Sequence, residues 1–150
     1  MENKSYKEYL IYFLVTTFLL LFLTIFAMIS EAYEVDTSVA IIHHTASPDW
    51  PVERFRQIHV KERGWEDVGY HFIIRKDGRI EEGRSLNRKG AHARGRNKFV
   101  GIALTGYDQF SSSQIKSLKA LLKRLQTKRI EPHHEECPGK GLDLEAIKWR

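Results

Sequence analysis

The sequence predicts an α/β fold, a mixed central β-sheet flanked by helices, preceded by one amino-terminal transmembrane or signal helix. Three observations carry this expectation. Short aliphatic and β-branched runs recur at Ser38–His43, Tyr70–Arg75 and Val100–Thr105, and apolar runs without polar alternation read as buried strands. Segments with apolar residues at helical spacing lie between and after them, which implies helices layered on a sheet. Finally, the 22 residues from Tyr9 to Ser30 carry no charge and are bounded by Glu8 and Glu31.

The apolar segment comes first. At about 1.5 Å per residue it forms a helix roughly 33 Å long, enough to cross the hydrocarbon layer of a membrane. Lys4 and Lys7 precede it, whereas Glu31, Glu34 and Asp36 follow it. That asymmetry keeps the amino end in the cytoplasm and sends the rest outward, to the periplasmic side of the cytoplasmic membrane. The expected organisation is an n-region over 1–8, an anchor or signal peptide over 9–30, a linker over 31–36 and a folded domain over 37–150. Ser30-Glu31-Ala32 roughly fits a cleavage site, which would release a periplasmic form near Ala32. The apolar run exceeds a signal-peptide core of about 7 to 15 residues, so a retained single-pass anchor is favoured.

Beyond the first strand, Ser47-Pro48-Asp49-Trp50-Pro51 is a turn leading into a helix over 52–63, closed by Gly64. Val52, Phe55 and Ile58 follow its period. After the second strand, Lys76-Asp77-Gly78-Arg79 supplies a tight hairpin turn and Ile80-Glu81-Glu82 returns. Residues 87–98 are rich in Gly and Arg and read as a loop. The third strand ends at Gly106. Ser111 followed by Gln114 matches a capping box, and Ile115, Leu118, Leu121, Leu122 and Leu125 then form one apolar stripe. A last short helix is expected to start near Leu144.

The whole chain of 150 residues has a formal net charge of +5. Residues 33–150 hold 22 basic and 16 acidic groups, a net +6, which suits an anionic partner. A nuclease would need carboxylate-rich magnesium sites that the sequence does not offer, so no nucleic-acid partner is expected. There is one cysteine, Cys137. Alone in an oxidising compartment it forms no internal disulfide, and metal binding is one of its remaining uses.

Cys137 follows His133 and His134, and a further histidine pair stands at His43-His44. One thiolate and two imidazoles make a tetrahedral zinc set with a fourth position open, the catalytic pattern. Successive strand residues point to opposite faces. Only one of His43 and His44 can therefore reach a given ion, and the same holds for Tyr70 and His71 if the strand runs through them. The partner in each pair should pack or support the ligands.

Four motifs occur in order: Ile42-His43-His44-Thr45-Ala46, the stretch Gly64-Trp65-Glu66-Asp67-Val68-Gly69-Tyr70-His71-Phe72-Ile73-Ile74, Gly90-Ala91-His92-Ala93, and His133-His134-Glu135 with Cys137-Pro138-Gly139. Together they resemble the zinc-dependent N-acetylmuramoyl-L-alanine amidases, that is, the amidase-type phage lysozymes and the peptidoglycan recognition proteins. The resemblance covers about residues 37 to 149. It implies hydrolysis of the amide between N-acetylmuramic acid and L-alanine of the peptidoglycan stem peptide by a monomeric enzyme holding one zinc ion (Zn2+). Carried over by position, the ligands are His43, His133 and Cys137, and the active-site tyrosine is Tyr70. His92, in the substrate-facing loop, and His44 take substrate-binding roles.

The sequence departs from the family at one place. A lysine often sits two residues before the cysteine ligand, where this chain has Glu135 in a loop of three residues. Glu135 and Lys140 are candidates for the vacant catalytic role, and the short loop leaves His134 as an alternative to His133. The other reading is a module that binds muropeptides without cutting them. Such modules typically lack the cysteine, so Cys137 favours the enzyme. Whether it serves phage lysis, as a prophage endolysin, or host wall turnover is left open.

Overall fold

The computed structural model describes residues 5–29, 33–147 and 149. It divides into two units, residues 1–32 and 33–150. The first contains helix α1 (Tyr6–Ile29), whose apolar side chains are exposed, from Tyr9 to Phe26. Residues Tyr6–Phe26 are long and apolar enough to cross a membrane. Thr16, Thr17 and Thr24 return their hydroxyls to carbonyls of the preceding turn, so the helix presents few unsatisfied polar groups.

The second unit is built on β1 (Asp36–His44), α2 (Val52–Gln57), β2 (Phe72–Ile74), β3 (Ile80–Glu82), β4 (Phe99–Leu104), α3 (Ser112–Arg124) and β5 (Arg129–Pro132). The sheet order is β3-β2-β4-β1-β5. Strands β2, β4, β1 and β5 run parallel, and β3 pairs antiparallel with β2 at one edge. Ile42 lies opposite Ile102 on one side and Pro132 on the other. Central β1 is buried on both faces, which is why its sequence shows no polar alternation.

The faces follow the strand period. Ala40, Ile42, Phe72, Ile74, Ile102 and Leu104 pack under α3 against Leu118, Leu121 and Leu122. Ile41 and Ile73 point the other way, the first onto Ala93 and the second onto Phe55 and Val68. The predicted capping box is present: Ser111 Oγ accepts from the Gln114 amide, and Gln114 Oε1 accepts from the Ser111 amide. Gln114 is buried, and its Nε2 donates to the carbonyls of Ile74 and Thr105, fixing the helix start to the ends of β2 and β4.

Three expectations need correction, and one strand was not foreseen. The helix over 52–63 is α-helical only to Gln57 and continues as a π-helical turn over Ile58–Glu62. Strand β2 starts at Phe72 rather than Tyr70, so strand alternation does not separate Tyr70 from His71. The edge strand β5 has no apolar run to announce it; it gains order from pairing with β1. No helix begins near Leu144 among the described residues. The Asp143 carboxylate instead accepts from the amides of Glu145 and Ala146 in a single turn. Leu142, Leu144, Ile147 and Trp149 all pack onto the core, a spacing that one face of a helix cannot present.

Candidate metal centre and active site

Parallel strands leave a crevice beyond their carboxyl ends, and the candidate site lies there, at the ends of β1 and β5. His43 is the penultimate residue of β1 and is buried. His133 follows β5 directly, its amide donating to the Ile42 carbonyl at 3.1 Å. His134 and Cys137 then exchange backbone hydrogen bonds of 3.3 and 3.0 Å, folding the chain back on itself. The three-residue loop is thus a tight turn that returns Cys137 to the strand end. Potential ligand atoms of His43, His133 and Cys137 all lie within 4.8 Å of one another.

Hydrogen bonds fix which nitrogen of His43 faces this cluster. The Phe99 carbonyl can only accept, so His92 donates to it through Nε2–H at 3.1 Å. His92 Nδ1 is then an acceptor, and His43 Nε2–H donates to it at 3.0 Å. His43 Nδ1 is left with its lone pair free. Burial, reinforced by His92 and His133, holds the His43 imidazole well below its usual pKa and therefore neutral. Burial pushes the Cys137 thiol up, against an opposing hydrogen bond from the His44 amide. A buried thiol, two neutral imidazoles and an inward lone pair form the donor set that zinc takes, and the residues fit the ion.

The supporting side chains are equally specific. His92 reaches its place because Gly90 and Gly101 carry no side chain: a Cβ on either would come within 2.4 Å of the His92 ring. The Asn97 side-chain oxygen accepts from the His92 and Ala93 amides. Arg96 binds the Glu131 carboxylate and the Pro132 carbonyl, each at 3.1 Å, and also the His133 carbonyl, clamping the ligand's backbone. His71 accepts from the Gly101 amide and donates to the Arg88 carbonyl. It has the supporting role expected of the histidine in its pair.

A cavity of about 270 Å3 opens over the cluster. Tyr70 lines it, its ring 5.1 Å from that of His43, and burial with the nearby Cys137 raises its hydroxyl to about 12. Tyr70 therefore stays a hydroxyl donor at neutral pH. Two sequence candidates are placed elsewhere. Glu135 and Lys140 are exposed and do not line the cavity. His92 lines the cavity, with both ring nitrogens engaged within the protein. His44 lines the cavity, but its buried Nδ1 has no hydrogen-bond partner among the described residues. His134 is exposed, with Nδ1 accepting from the Glu136 amide, and stands outside the ligand cluster.

Sequence reading missed His59, Arg63 and Arg96. His59 accepts from the Gly69 amide at 3.0 Å and packs at a tilt against Trp65 and Tyr70, and burial, with Arg63 and Arg84, takes it to about 4. Its position four and seven residues after Phe55 and Val52 is a core position of the helix, a signal available in the sequence. Arg96 lies in a loop without any period to mark it.

The sequence profile of the N-acetylmuramoyl-L-alanine amidases matches residues 34–140, most of the chain. The chain belongs to this family. Within it, the endolysin of Escherichia phage T7 is 36% identical over 129 residues, covering 75% of this chain and 85% of the endolysin. Peptidoglycan-recognition protein SC2 of Drosophila melanogaster is 32% identical over 135 residues, covering 75% and 73%. Among solved structures, the N-acetylmuramoyl-L-alanine amidase LysC from Clostridium intestinale superposes with a TM-score of 0.69 at 35% identity, over 77% of this chain and 85% of LysC. Drosophila PGRP-LB gives 0.68 at 30%, over 79% and 84%. This family membership accounts for the sheet order and for the order of the four motifs along the chain.

Proposed function

We propose that this amidase family member hydrolyses the amide joining the lactyl group of N-acetylmuramic acid to L-alanine of the stem peptide, using one zinc ion held by His43, His133 and Cys137. The observation that carries this reading is the convergence of those three donors beneath a cavity lined by Tyr70. When bound, zinc supplies Lewis acidity, activating water near neutral pH and polarising the scissile carbonyl.

The chain's own groups do the rest. The His92 relay presents His43 Nδ1 to the ion and holds the ring against rotation. Arg96 fixes the His133 backbone. The Tyr70 hydroxyl donates to the oxygen that gains charge as the carbonyl is attacked, a contribution on the order of a hundredfold in turnover for one such donor. Burial that keeps this hydroxyl protonated keeps it a donor throughout the working pH range.

For the cellular setting, α1 serves as a single-pass anchor in the cytoplasmic membrane, with residues 37–150 acting outward as a monomer on peptidoglycan. Its apolar length and the charges flanking it support this arrangement. Relatives named as phage endolysins favour lysis over wall turnover. The deciding experiment digests purified peptidoglycan with the zinc-loaded full chain in detergent and reads the products by mass spectrometry. Free stem peptides beginning with L-alanine are expected; cleavage at any other bond, or none by fully loaded protein, refutes the assignment.

A further inference from the structure

Arg84 is only 8% exposed, yet among the described residues no carboxylate pairs with it. Arg56, Arg75, Arg79, Arg88, Arg96 and Arg129 each hold one. The acids whose charge reaches Arg84, Asp67 and Glu66, are bound to Arg56 and Arg88. A guanidinium withdrawn from water without a counter-charge is costly unless other acceptors take its donors. Here main-chain carbonyls take them. Nε donates to Val68 at 2.9 Å, Nη2 to Asp67 at 3.1 Å and Nη1 to Lys89 at 2.9 Å. The backbone continues the pattern: the Arg84 amide donates to the Tyr70 carbonyl at 2.8 Å, and the Gly83 amide to the His71 carbonyl at 2.9 Å. Residues 67–71 precede β2 and belong to no strand, so their carbonyls need partners that a ladder would otherwise supply. Gly83-Arg84 supplies four of them.

We propose that Arg84 is a positioning residue for the reaction, fixing the place of the Tyr70 hydroxyl by gripping the backbone on both sides of that tyrosine. This rests on the amidase reading above, with Tyr70 as the donor to the oxygen that gains charge, and adds what aims that donor. Arg84 does not line the cavity, so it acts only through the chain that carries Tyr70. A donor of this kind must lie about 2.7–3.1 Å from the oxygen's final position, and a displacement of about 1 Å can cost on the order of a hundredfold. Lysine cannot take the place of Arg84, because a single ammonium does not span three carbonyls set apart as a fork. Gly83 completes the grip: a Cβ there would strike the Tyr70 carbonyl oxygen and stand 2.8 Å from Val68 Cγ1. None of the Arg84 acceptors belongs to His43, His133 or Cys137, so zinc affinity is not the quantity it sets.

The test is a double-mutant cycle in the zinc-loaded full chain in detergent: Arg84→Lys, Tyr70→Phe and the two together, assayed on a soluble muropeptide. Competition with a chelator gives the zinc affinity of each protein. Arg84→Lys should lower kcat by about tenfold or more, up to the effect on the order of a hundredfold that the Tyr70 hydroxyl itself supplies. Zinc affinity and KM should stay within about twofold. In the Tyr70→Phe chain the same substitution should lower kcat by less than about twofold, because no hydroxyl is left to misplace. A residue that only stabilises the domain would lower both backgrounds alike. Gly83→Ala pushes on the Tyr70 carbonyl from the same side; it should repeat the pattern, and it decides the matter if Arg84→Lys does not fold. Equal losses in the two backgrounds, an unchanged kcat, or a loss of zinc that accounts for the fall overturn the inference. So does a Tyr70→Phe chain as active as the unsubstituted one, or failure of both variants to fold, which would assign the pair to the fold alone. If the unsubstituted chain binds the muropeptide without cutting it, the amidase reading fails while the same cycle, read on the calorimetric Kd, still decides the role of Arg84. If it neither binds nor cuts, both fall.

Discussion

Replacing His92 separates support of the metal from contact with substrate. His92→Leu removes the acceptor for His43 Nε2–H, a donor that is 1% exposed and has no water to turn to. Leaving such a buried donor unpaired costs about 1–3 kcal/mol. Part of that appears as lost stability, and part as freedom of the His43 ring to adopt the tautomer that turns a protonated nitrogen toward the ion. Outer partners of ligating histidines are typically worth about 10- to 100-fold in metal affinity, or about 1.4–2.7 kcal/mol. His92→Asn should retain much of this, because its amide oxygen occupies roughly the place of Nδ1 and can accept. The assay is competition for zinc between the full chain and a chelator of known affinity, alongside thermal melts. If His92→Leu bound zinc as tightly as the unsubstituted chain, the relay would have no part in holding the metal. If His92→Asn were as defective as His92→Leu, shape rather than hydrogen bonding would explain the residue.

Other outcomes follow from the same geometry. A methyl group at Gly101 would lie 2.4 Å from the His92 ring, so Gly101→Ala should weaken zinc binding and stability together, by about 1–3 kcal/mol in melts; unchanged values of both would refute the packing argument. Cys137→Ser keeps the tight turn but removes the thiolate; zinc should be lost to a chelator at concentrations that leave the unsubstituted chain loaded, with stem-peptide release abolished. His59 and His71 are both taken to about 4 by burial, whereas the unfolded chain protonates them near 6.5. Between those values the unfolded state binds more protons, so stability is present above about pH 6.5 and is lost as pH falls toward 4. Each contributes about 2 kcal/mol between pH 7 and pH 5, and melts in chelator should drop on the order of 10 °C over that interval; a flat profile would show that these rings are not buried neutral.

Why the candidate ligands could be picked out and their supports could not follows from what each leaves in the sequence. His43 ends an uninterrupted aliphatic run, and a strand that is apolar throughout must be central, so its carboxyl end must open onto a crevice. The single cysteine narrowed the donor set further. The α3 stripe and its capping box were readable because their period and spacing are local. The supports depend on contacts across the chain. His92 acts on a residue 49 positions away and Arg96 on a carbonyl 37 positions away, and neither bond leaves a period or a spacing. Strand β5 was unreadable for the same reason, since Arg129-Ile130-Glu131-Pro132 has no strand pattern and is ordered by its partner β1.

The three-residue ligand loop limits what its own side chains can reach. With Cys137 returned by a turn closed on His134, the side chains of Glu135 and Glu136 project from an exposed tip and cannot lean over the cluster. A cation placed at Glu135, where the family often has lysine, would therefore point to solvent in this chain. Among the described residues, the one formal cation lining the cavity is Arg63, at the exit of the π-helical turn and over Trp65. Restoring the family residue should accordingly do nothing useful: Glu135→Lys is expected to leave kcat and KM near those of the unsubstituted chain. A tenfold gain in kcat from that single substitution would show that the turn still addresses the active site, and that the cavity lacks a charge Arg63 does not supply.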